Sequence, residues 1–513
     1  MTADYRVGLR PARVEHDRIA LPVEGSLPGW LRGTFVRNGP GTFAVGDREL
    51  AHWFDGFAML RAYRVDGADG DNDRVEFSNR FLRSEAYRYA REHGELGYRE
   101  FASDPPTSAL DRLRRLRDPG FTDNATVDVD HLGGEFVATT ESPRAVAFDL
   151  DSLRTRRTVG YPDDLGATDT VHPHFDFETG AHLGFATDFG RDPGYVYYRI
   201  SPGEREREPL GRVSMDPPGY VHSFSLTERY AVFTVPPFVV DSPLAFLRDR
   251  PVIENFRWRP ELGTRVVVLD RETGAERARY RTAPFFVFHA ANAFERPVAS
   301  GSGELVVDLV AFPDADVVSD FYLDNLRVDD PSLPTGELRR LRLPFDPEYG
   351  ERTSGTVVTE THHRGPVAFP TINYERCNGR PYRYVWAAGN RERPPESLPN
   401  RLVKVDLRSG TTRVWQERGT FPSEAVFVPA PDDAGDSDDA ASDAAAADDA
   451  APAEDDGVLL ASVLDADAER TFLLVLDAAT MTELARATVP TAMPLGFHGQ
   501  FYREGERPTR SMP

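Results

Sequence analysis

The chain has 513 residues, and its 60 lysine and arginine residues are outnumbered by 83 aspartate and glutamate residues, so the formal net charge is −23. This length allows three or four domains or one large closed β architecture, and a hydrophobic content of 40% excludes wholesale disorder. No apolar run reaches the roughly 20 residues of a membrane-spanning helix, and the N-terminus does not have the pattern of a signal peptide. The single cysteine, Cys377, excludes a disulfide framework and multi-cysteine metal sites. A cytoplasmic location is predicted.

Lysine occurs once, at Lys404, and every other basic side chain is arginine. Such an acidic, lysine-poor surface argues against nucleic-acid binding, which needs a basic footprint. It favours a protein that stays hydrated in concentrated salt and therefore a halophilic source, because carboxylates hold water well. A GC-rich genome that replaces lysine by arginine is the alternative explanation.

One local pattern occurs four times along the chain: an apolar run that ends in aspartate, a turn, and an alternating polar and apolar return. The four copies are Ala145–Val159, Arg265–Tyr280, Leu402–Trp415 and Phe472–Val489. Each copy predicts a β-hairpin whose aspartate caps the turn. Asp406 and Asp477 are separated by about the length of one large propeller blade, which favours an all-β propeller over unrelated hairpins in several sheets.

Two segments differ from this β pattern. Ser108–Arg117 is the best helical stretch. Pro431–Gly457 consists almost entirely of aspartate, alanine and serine, and it predicts a disordered acidic loop because it has too few apolar residues to offset the entropy of ordering. Since hairpins continue on both sides of this loop, residues 1–513 are predicted to form a single domain.

Histidine is the residue type with the clearest chemical signal, because motifs such as HExxH, the P-loop and GxSxG are absent. Four of the 12 histidines lie within or beside strand-like apolar runs, namely His172, His222, His289 and His498. A single histidine in such a run is more often a core side chain than a ligand. The inner strands of a propeller converge on its axis, however, so one histidine per blade can meet at one metal ion. Four neutral imidazoles without a thiolate suit Fe(II) and leave positions open for O2, although spacing alone does not establish that they converge.

Sequence blocks along nearly the whole chain resemble the carotenoid cleavage oxygenase family of non-haem iron enzymes, and the acidic composition resembles a haloarchaeal member. In chain order the blocks are LRGTFVRNGP (Leu31–Pro40), HWFDG (His52–Gly56), TDNA (Thr122–Ala125), TTESP (Thr139–Pro143), HPH (His172–His174), YVHSF (Tyr220–Phe224), FHAANAFE (Phe288–Glu295), FPTINY (Phe369–Tyr374), PSEAVF (Pro422–Phe427) and FHG (Phe497–Gly499). The resemblance implies a seven-bladed β-propeller with a dome of loops and helices over an axial metal site, with Fe(II) as cofactor.

The resemblance also assigns roles to individual residues. It implies that the iron ligands, which are also the catalytic residues, are His172, His222, His289 and His498. The other two histidines of these blocks, His52 and His174, are not expected to be ligands.

Family members hold their ligand imidazoles with glutamates that accept the far ring N–H and thereby fix the tautomer. By position, Glu141 in TTESP is expected to orient His222, and Glu424 in PSEAVF is expected to orient His498. The alternative is that both glutamates are ordinary turn residues.

The third glutamate of the family pattern, which precedes Phe-Pro in the FPxINY block, is replaced here by Ala368. His289 is therefore expected to lack a carboxylate partner. This departure puts iron affinity or catalytic rate in question, but not the set of four ligands.

The activity implied by the resemblance is the cleavage of a C=C bond of a carotenoid or apocarotenoid by O2, which gives aldehyde or ketone products. The YVHSF and FPTINY blocks are more similar to the animal-type enzymes, which implies apocarotenals and, for central cleavage, retinal. The resemblance also implies peripheral contact with the inner face of a membrane through a loop patch inside Pro236–Trp258, with a buried loop between blades as the alternative. The apolar residues of this patch are Phe238, Val239, Leu244, Phe246 and Leu247.

Two other functions stay open. A stilbenoid-cleaving relative would engage a phenol with a lysine and a tyrosine, but the sole lysine, Lys404, lies inside a predicted hairpin. A non-oxidative relative, such as a retinoid isomerase or an iron-binding propeller, is favoured only by Ala368. The oligomeric state is left open.

Overall fold

The computed structural model describes residues 4–67, 73–105, 121–240, 250–297, 303–345, 356–431 and 453–505. Within these ranges the strands form seven antiparallel sheets of four to six strands, and the sheets are the blades of a seven-bladed β-propeller with few helices. This arrangement confirms the fold class predicted from the hairpin pattern and the family resemblance.

The N-terminal strands are β1 (Ile19–Leu21), β2 (Val23–Gly25), β3 (Arg32–Arg37), β4 (Pro40–Thr42), β5 (Ala44–Val45), β6 (Arg48–Glu49), β7 (Phe57–Asp66) and β8 (Arg74–Phe81). The second blade contains β9 (Asp128–Leu132), β10 (Glu135–Thr139), β11 (Arg144–Phe148) and β12 (Thr155–Gly160). The third blade contains β13 (Thr168–Asp169), β14 (His174–Phe175), β15 (His182–Asp188), β16 (Gly194–Ile200) and β17 (Glu208–Ser214).

The next strands in the chain are β18 (Ser225–Leu226), β19 (Tyr230–Val235), β20 (Phe238–Val240), β21 (Phe256–Trp258), β22 (Thr264–Asp270) and β23 (Glu276–Thr282). Of these, β20 and β21 form a separate ribbon and the other four form the fourth blade. The fifth blade contains β24 (Phe286–Pro297), β25 (Gly303–Phe312), β26 (Glu337–Phe345) and β27 (Val358–His363).

The sixth blade contains β28 (Val367–Thr371), β29 (Tyr384–Gly389), β30 (Arg401–Asp406) and β31 (Thr412–Trp415). The remaining strands are β32 (Thr420–Pro429), β33 (Gly457–Asp465), β34 (Arg470–Asp477), β35 (Glu483–Val489) and β36 (Gly499–Arg503). The described α-helices are α1 (Glu85–His93), α2 (Asp316–Asp320), α3 (Leu323–Leu326) and α4 (Tyr374–Cys377). Short 3-10 turns cover Tyr5–Leu9, Trp53–Asp55, Ile253–Asn255 and Pro260–Leu262.

The ring closes by an exchange of strands between its first and last blades. The last strand, β36, pairs with β3 in the first blade, whose strand order is β1-β8-β7-β3-β36. The early strand β2 pairs with β35 and so becomes the outer strand of the seventh blade. The N-terminal and C-terminal segments are thereby each built into the blade at the other end of the chain, which closes the ring.

All four predicted hairpins are confirmed: β11–β12, β22–β23, β30–β31 and β34–β35 are antiparallel neighbours. Their turn aspartates accept backbone N–H groups as predicted. Asp149 Oδ1 accepts from Ser152 at 2.9 Å, and Asp477 Oδ1 accepts from Thr480 at 2.7 Å. These side chains replace the backbone partners that a turn leaves unmade, so the hairpin geometry follows from local sequence.

Several predicted segments fall wholly or partly outside the described residues. Ser108–Arg117 lies outside them, as do residues 432–452 of the acidic segment. The end of that segment does not match a solvated loop, because Glu454 accepts hydrogen bonds from the backbone of Arg383 and Tyr384 at 2.8–2.9 Å. Asp455 forms an ion pair with Lys404.

The proposed membrane patch is described only in part. Leu244, Phe246 and Leu247 lie outside the described residues. Phe238 and Val239 are buried in β20, which corrects their assignment to an exposed patch: the ribbon pairs with β21 and packs its apolar side chains inward. In the part of the chain that the structure describes, no helix is long and apolar enough to cross a membrane.

Candidate metal centre and cavity

The four histidines selected from the sequence come together on the propeller axis, and they are called the four-histidine site here. One ring nitrogen from each lies within 4.8 Å of the others, and all four side chains are buried. His172 and His222 lie in loops that precede inner strands of the third and fourth blades, His289 lies in β24, and His498 directly precedes β36. The convergence that spacing could not establish is therefore present.

Interruptions of the inner strands aim the residues of this site. The pairing of β24 with β25 shifts between Val287 and Ala290, on either side of His289. The pairing of β32 with β33 shifts between Pro422 and Ala425, next to Glu424. An extra residue in a strand re-aims a side chain that the regular pleat would direct into the sheet.

His222 is held by a carboxylate and a phenol. Its Nδ1 lies 2.6 Å from Glu141 Oε1, and the Tyr220 hydroxyl donates to the same oxygen at 2.7 Å. The predicted pairing of Glu141 with His222 is thus present. Because Nδ1 donates to a carboxylate, Nε2 carries the lone pair and faces the centre of the site.

His498 is held in the same way by Glu424. Its Nδ1 lies 2.9 Å from Glu424 Oε1, while the other oxygen accepts from Arg37 Nη1 at 2.7 Å and from the Gly499 backbone at 3.1 Å. Arg37 also donates to the carbonyl of Phe497 at 2.5 Å. The buried guanidinium neutralises Glu424 and fixes the segment that presents His498.

The other two imidazoles have different surroundings. His172 Nδ1 faces Asp128 Oδ2 at 3.6 Å, and both residues are completely buried. No described residue makes a hydrogen bond to the ring of His289, whose Nε2 is buried without a partner. The Phe369 ring lies against His289 instead, with a centroid separation of 5.4 Å. His289 thus lies beside an aromatic ring, whereas His222 and His498 each lie beside a glutamate.

The donor chemistry fits a divalent metal ion. His172 Nε2 and His222 Nε2 lie only 3.1 Å apart. With both protons on Nδ1, the tautomer that the carboxylates of Asp128 and Glu141 favour, two lone pairs face each other and a cation between them would be stabilised. Burial, and after it the proximity of the other imidazoles, holds the pKa of His289 well below its ordinary value. The site thus favours neutral imidazoles, the form that binds first-row metals.

The two histidines that were not expected to be ligands lie outside this group. His174 Nδ1 is 2.8 Å from the Tyr374 hydroxyl, and its Nε2 is 3.0 Å from the carbonyl of Phe224. His52 likewise uses both ring nitrogens within the protein, to the Phe54 backbone N–H and to the carbonyl of Val318. Neither ring has a nitrogen left for a metal.

A cavity opens onto the four-histidine site, and His222, His289 and His498 form part of its wall. Most of the wall is aromatic or aliphatic, and it is built from inner strands together with loops and short helical turns above them. The aromatic residues of the wall are Trp53, Phe54, Phe101, Phe121, Tyr220, Phe288, Phe312, Phe321, Phe369 and Phe497. Such a wall binds an elongated apolar molecule and excludes water from the metal.

The cavity wall also contains a polar region, which includes Arg99, Glu100 and Glu141. Glu100 and the nearby Asp55 are both buried. Burial raises the pKa of Asp55 to about 6 and the pKa of Glu100 well above its ordinary value. The sole lysine and the sole cysteine do not line the cavity. Lys404 pairs with Asp455, and Cys377 is buried in α4, where burial raises its pKa to about 12.

Sequence reasoning missed four residues around this site. Arg37 and Tyr220 lie inside the quoted blocks LRGTFVRNGP and YVHSF, so those blocks could have pointed to them. Asp128 follows the TDNA block by three residues and has a weaker signal. Glu100 lies in an irregular segment without a motif, and nothing in the sequence alone distinguished it.

The sequence of this chain is similar to the sequences of known proteins over nearly its whole length. The family model described as retinal pigment epithelial membrane protein matches residues 9–503. The chain is 34% identical to carotenoid cleavage dioxygenase 8 homolog A, chloroplastic, of Oryza sativa subsp. japonica over 96% of this chain and 86% of the relative. It is 32% identical to β,β-carotene 15,15′-dioxygenase of Rattus norvegicus over 93% of this chain and 88% of the relative.

Solved structures give the same result. A variant of Synechocystis apocarotenoid oxygenase superimposes with a TM-score of 0.79 and 26% identity, covering 98% of each chain. The cobalt-substituted form of that oxygenase has a TM-score of 0.79 and 25% identity over the same share of each chain.

Proposed function

Because this chain belongs to the carotenoid cleavage oxygenase family, we propose that it is an Fe(II)-dependent dioxygenase that cleaves a C=C bond of a carotenoid or apocarotenoid with O2. Both oxygen atoms of O2 end in the two carbonyl groups that replace the double bond, so the products are aldehydes or ketones such as apocarotenals or retinal. The observation that supports this proposal most directly is the four-histidine site, three of whose imidazoles line a largely apolar cavity.

His172, His222, His289 and His498 would hold the iron, which supplies the activation of O2 when bound. Glu141 and Glu424 accept the Nδ1 protons of two ligands, so these rings present Nε2 to the metal and cannot rotate. The aromatic wall positions a rigid polyene beside the metal and keeps water away from it.

The alternative functions receive less support. A phenol clamp that uses lysine is disfavoured, since Lys404 is engaged by Asp455 and by the carbonyl of Ala479 and does not line the cavity. A non-oxidative role is favoured only by Ala368, which stands where the family has a glutamate.

Peripheral contact with a membrane belongs to the proposal as the route by which an insoluble carotenoid is loaded. Its test is the double substitution Phe246→Asp with Leu247→Asp, which should reduce liposome binding and turnover of liposomal substrate more than turnover of detergent-solubilised substrate. Equal losses in both assays would count against the contact.

The proposed activity is tested by incubating the iron-loaded protein with β-carotene and with a β-apocarotenal under ¹⁸O2, followed by mass spectrometry of the products. We expect aldehydes that contain one labelled oxygen per new carbonyl group, and no products from the His222→Ala variant. Isomerised but uncleaved polyene would favour the non-oxidative alternative, and products from a stilbenoid alone would favour the phenol-cleaving alternative.

A further inference from the structure

The carboxyl group of Glu100 is only partly engaged by the protein, although it is buried in the cavity wall. Its Oε1 accepts the hydroxyl of Thr122 at 2.8 Å. Its Oε2 has only a 3.5 Å contact with Asn124 Nδ2, and that amide nitrogen already donates to the carbonyls of Asp55 and Gly56 at 3.1 Å. One oxygen of Glu100 therefore lacks a strong donor.

The neighbouring Asp55 determines which of the two carboxyl groups holds a proton. Asp55 Oδ1 accepts the Ala102 backbone N–H at 2.9 Å, and Oδ2 accepts the Ser103 hydroxyl at 2.6 Å, so both of its oxygens are stabilised as an anion. Two buried carboxylates near each other cannot both remain ionised without a large cost. Glu100 has fewer donors, and burial together with the charge of Asp55 raises its pKa well above the ordinary value, so Glu100 is the protonated member.

A proton on Glu100 Oε2 needs an acceptor, because a buried unpaired donor is costly. Among the described residues no carbonyl or carboxylate accepts a hydrogen bond from it, and the Asn124 nitrogen that faces it is itself a donor. Since Glu100 lines the cavity, the acceptor that remains for this proton is a group bound in the cavity.

We propose that Glu100 donates a hydrogen bond to a carbonyl or hydroxyl oxygen at one end of the polyene, and thereby selects oxygen-bearing apocarotenoids over hydrocarbon carotenes. This inference rests on the proposed function and narrows its substrate class. A site built to pair with a polar group discriminates strongly against an analogue that lacks the group, since the buried donor is then left without a partner.

The test compares the affinity of two polyenes that differ only at one terminus, an apocarotenal and the same chain with a methyl group in place of the aldehyde. Binding to the iron-loaded protein without O2 is followed by quenching of tryptophan fluorescence, because Trp53 lines the cavity. Wild-type protein should prefer the aldehyde. Glu100→Leu should lose about tenfold in aldehyde affinity and should bind the hydrocarbon at least as tightly as wild type, since no buried donor is then left unpaired, whereas Glu100→Gln should keep most of the preference through its amide N–H.

Ser142→Ala is the matched control, since Ser142 also lines the cavity but its hydroxyl already donates to the carbonyl of Thr122 at 2.6 Å. If Glu100→Leu does not fold, infrared difference spectra of the wild-type protein give a second readout. The C=O stretch of a protonated carboxyl group should shift when the aldehyde binds, and it should be absent from Glu100→Gln.

An unchanged ratio of aldehyde to hydrocarbon affinity in Glu100→Leu, or the absence of that carboxyl band from wild-type protein, would overturn the inference. Equal affinity of wild-type protein for both polyenes, with cleavage still observed, would overturn the inference alone. Failure to bind or cleave any polyene would overturn the proposed function as well.

Discussion

The imidazoles of the four-histidine site differ in how firmly the protein holds them. His222 is fixed by a 2.6 Å contact with Glu141, whereas His289 has no carboxylate contact among the described residues and packs against the ring of Phe369 and the other three imidazoles. Phe369 itself has φ of +51°, in the left-handed region that is costly for an aromatic residue. The costly backbone conformation of Phe369 thus occurs where its side chain packs against His289, the ligand imidazole without a glutamate partner.

Removing a proposed ligand should remove the metal, and removing a nearby histidine should not. His222→Ala is expected to lose most of the bound iron, because three imidazoles remain and Glu141 is left without its partner. His174→Ala should keep one iron per chain and lose only stability, since both of its ring nitrogens bond to protein groups. Elemental analysis of the two purified variants checks this, and full iron content in His222→Ala would contradict the ligand assignment.

Restoring a carboxylate beside His289 should tighten the metal. A carboxylate that accepts the far N–H of a ligand imidazole typically changes metal affinity or activity by about 10–100-fold. Ala368→Glu is therefore expected to raise affinity in a chelator competition, and Glu424→Ala is expected to lower it. A strong loss in Glu424→Ala with no gain in Ala368→Glu would mean that His289 already has another partner, and the four-histidine site itself would be unaffected.

Individual residues were predictable only where a motif surrounded them. The roles of Glu141 and Glu424 followed from short blocks in a fixed order, and the structure places both against the predicted imidazoles. Glu100 and Asp128 were missed because they lie outside the quoted blocks, so no local pattern marked them, although their contacts with Thr122 and His172 span fewer residues than those of Glu141 and Glu424.

At the scale of secondary-structure elements, the hairpins could be predicted from the sequence and the interruptions of the inner strands could not. The hairpins were predictable because a capping aspartate and a period of two residues are local signals. The shifts in β24 and β32 beside His289 and Glu424 were not, since one extra residue within an apolar strand leaves the alternation almost unchanged. The register shifts that orient His289 and Glu424 were thus the features that the sequence pattern predicted least well.

The hairpin aspartates should make stability depend on pH in the acid range. Arg156 and the Ser152 backbone N–H hold the pKa of Asp149 at about 2, below its ordinary value of 3.8. Because the pKa is lowered on folding, the stabilisation is fully present above about pH 4 and is lost as the pH falls towards 2. The free-energy advantage of wild type over Asp149→Asn should be below about 1 kcal/mol, since the side chain is partly exposed, and should shrink over that range.

Urea unfolding at a series of pH values measures this difference. Asp151→Asn provides a matched control two residues away, because the side chain of Asp151 is 87% exposed. A difference between wild type and Asp149→Asn that stays constant down to the lowest pH at which both fold would contradict the prediction.

At the scale of the whole molecule, the ring was foreseen through family resemblance and repeated hairpins rather than through composition. The exposed position of Phe238 and Val239 was wrong, since an apolar run has the same composition whether it faces solvent or packs as a buried ribbon. Only the pairing of β20 with β21, which joins segments on either side of residues 241–249, decides between the two.

The net charge of −23 predicts that salt stabilises the protein. Screening weakens the repulsion among carboxylates, and it also weakens surface ion pairs such as Arg342 with Glu304 and Glu360, but exposed pairs contribute little. The melting temperature should therefore rise from low salt towards molar KCl at pH 7. Near the sequence pI of about 5.0 the rise should largely disappear. A melting temperature at pH 7 that falls with added KCl would argue against the halophilic interpretation.

The exchange of β2 and β36 between the first and seventh blades has a consequence for how the molecule comes apart. His498 directly precedes β36, and its backbone bonds to Asn38 at 2.9 Å and to Val127 at 3.2 Å, in the blades beyond the joint. An ion held by His498 and by the imidazoles of His172, His222 and His289 would therefore link the two sides of that joint. Opening the ring would then remove a ligand, so metal occupancy and closure reinforce each other. Removal of the metal by a chelator should therefore increase the rate of amide hydrogen exchange first in β3 and β36.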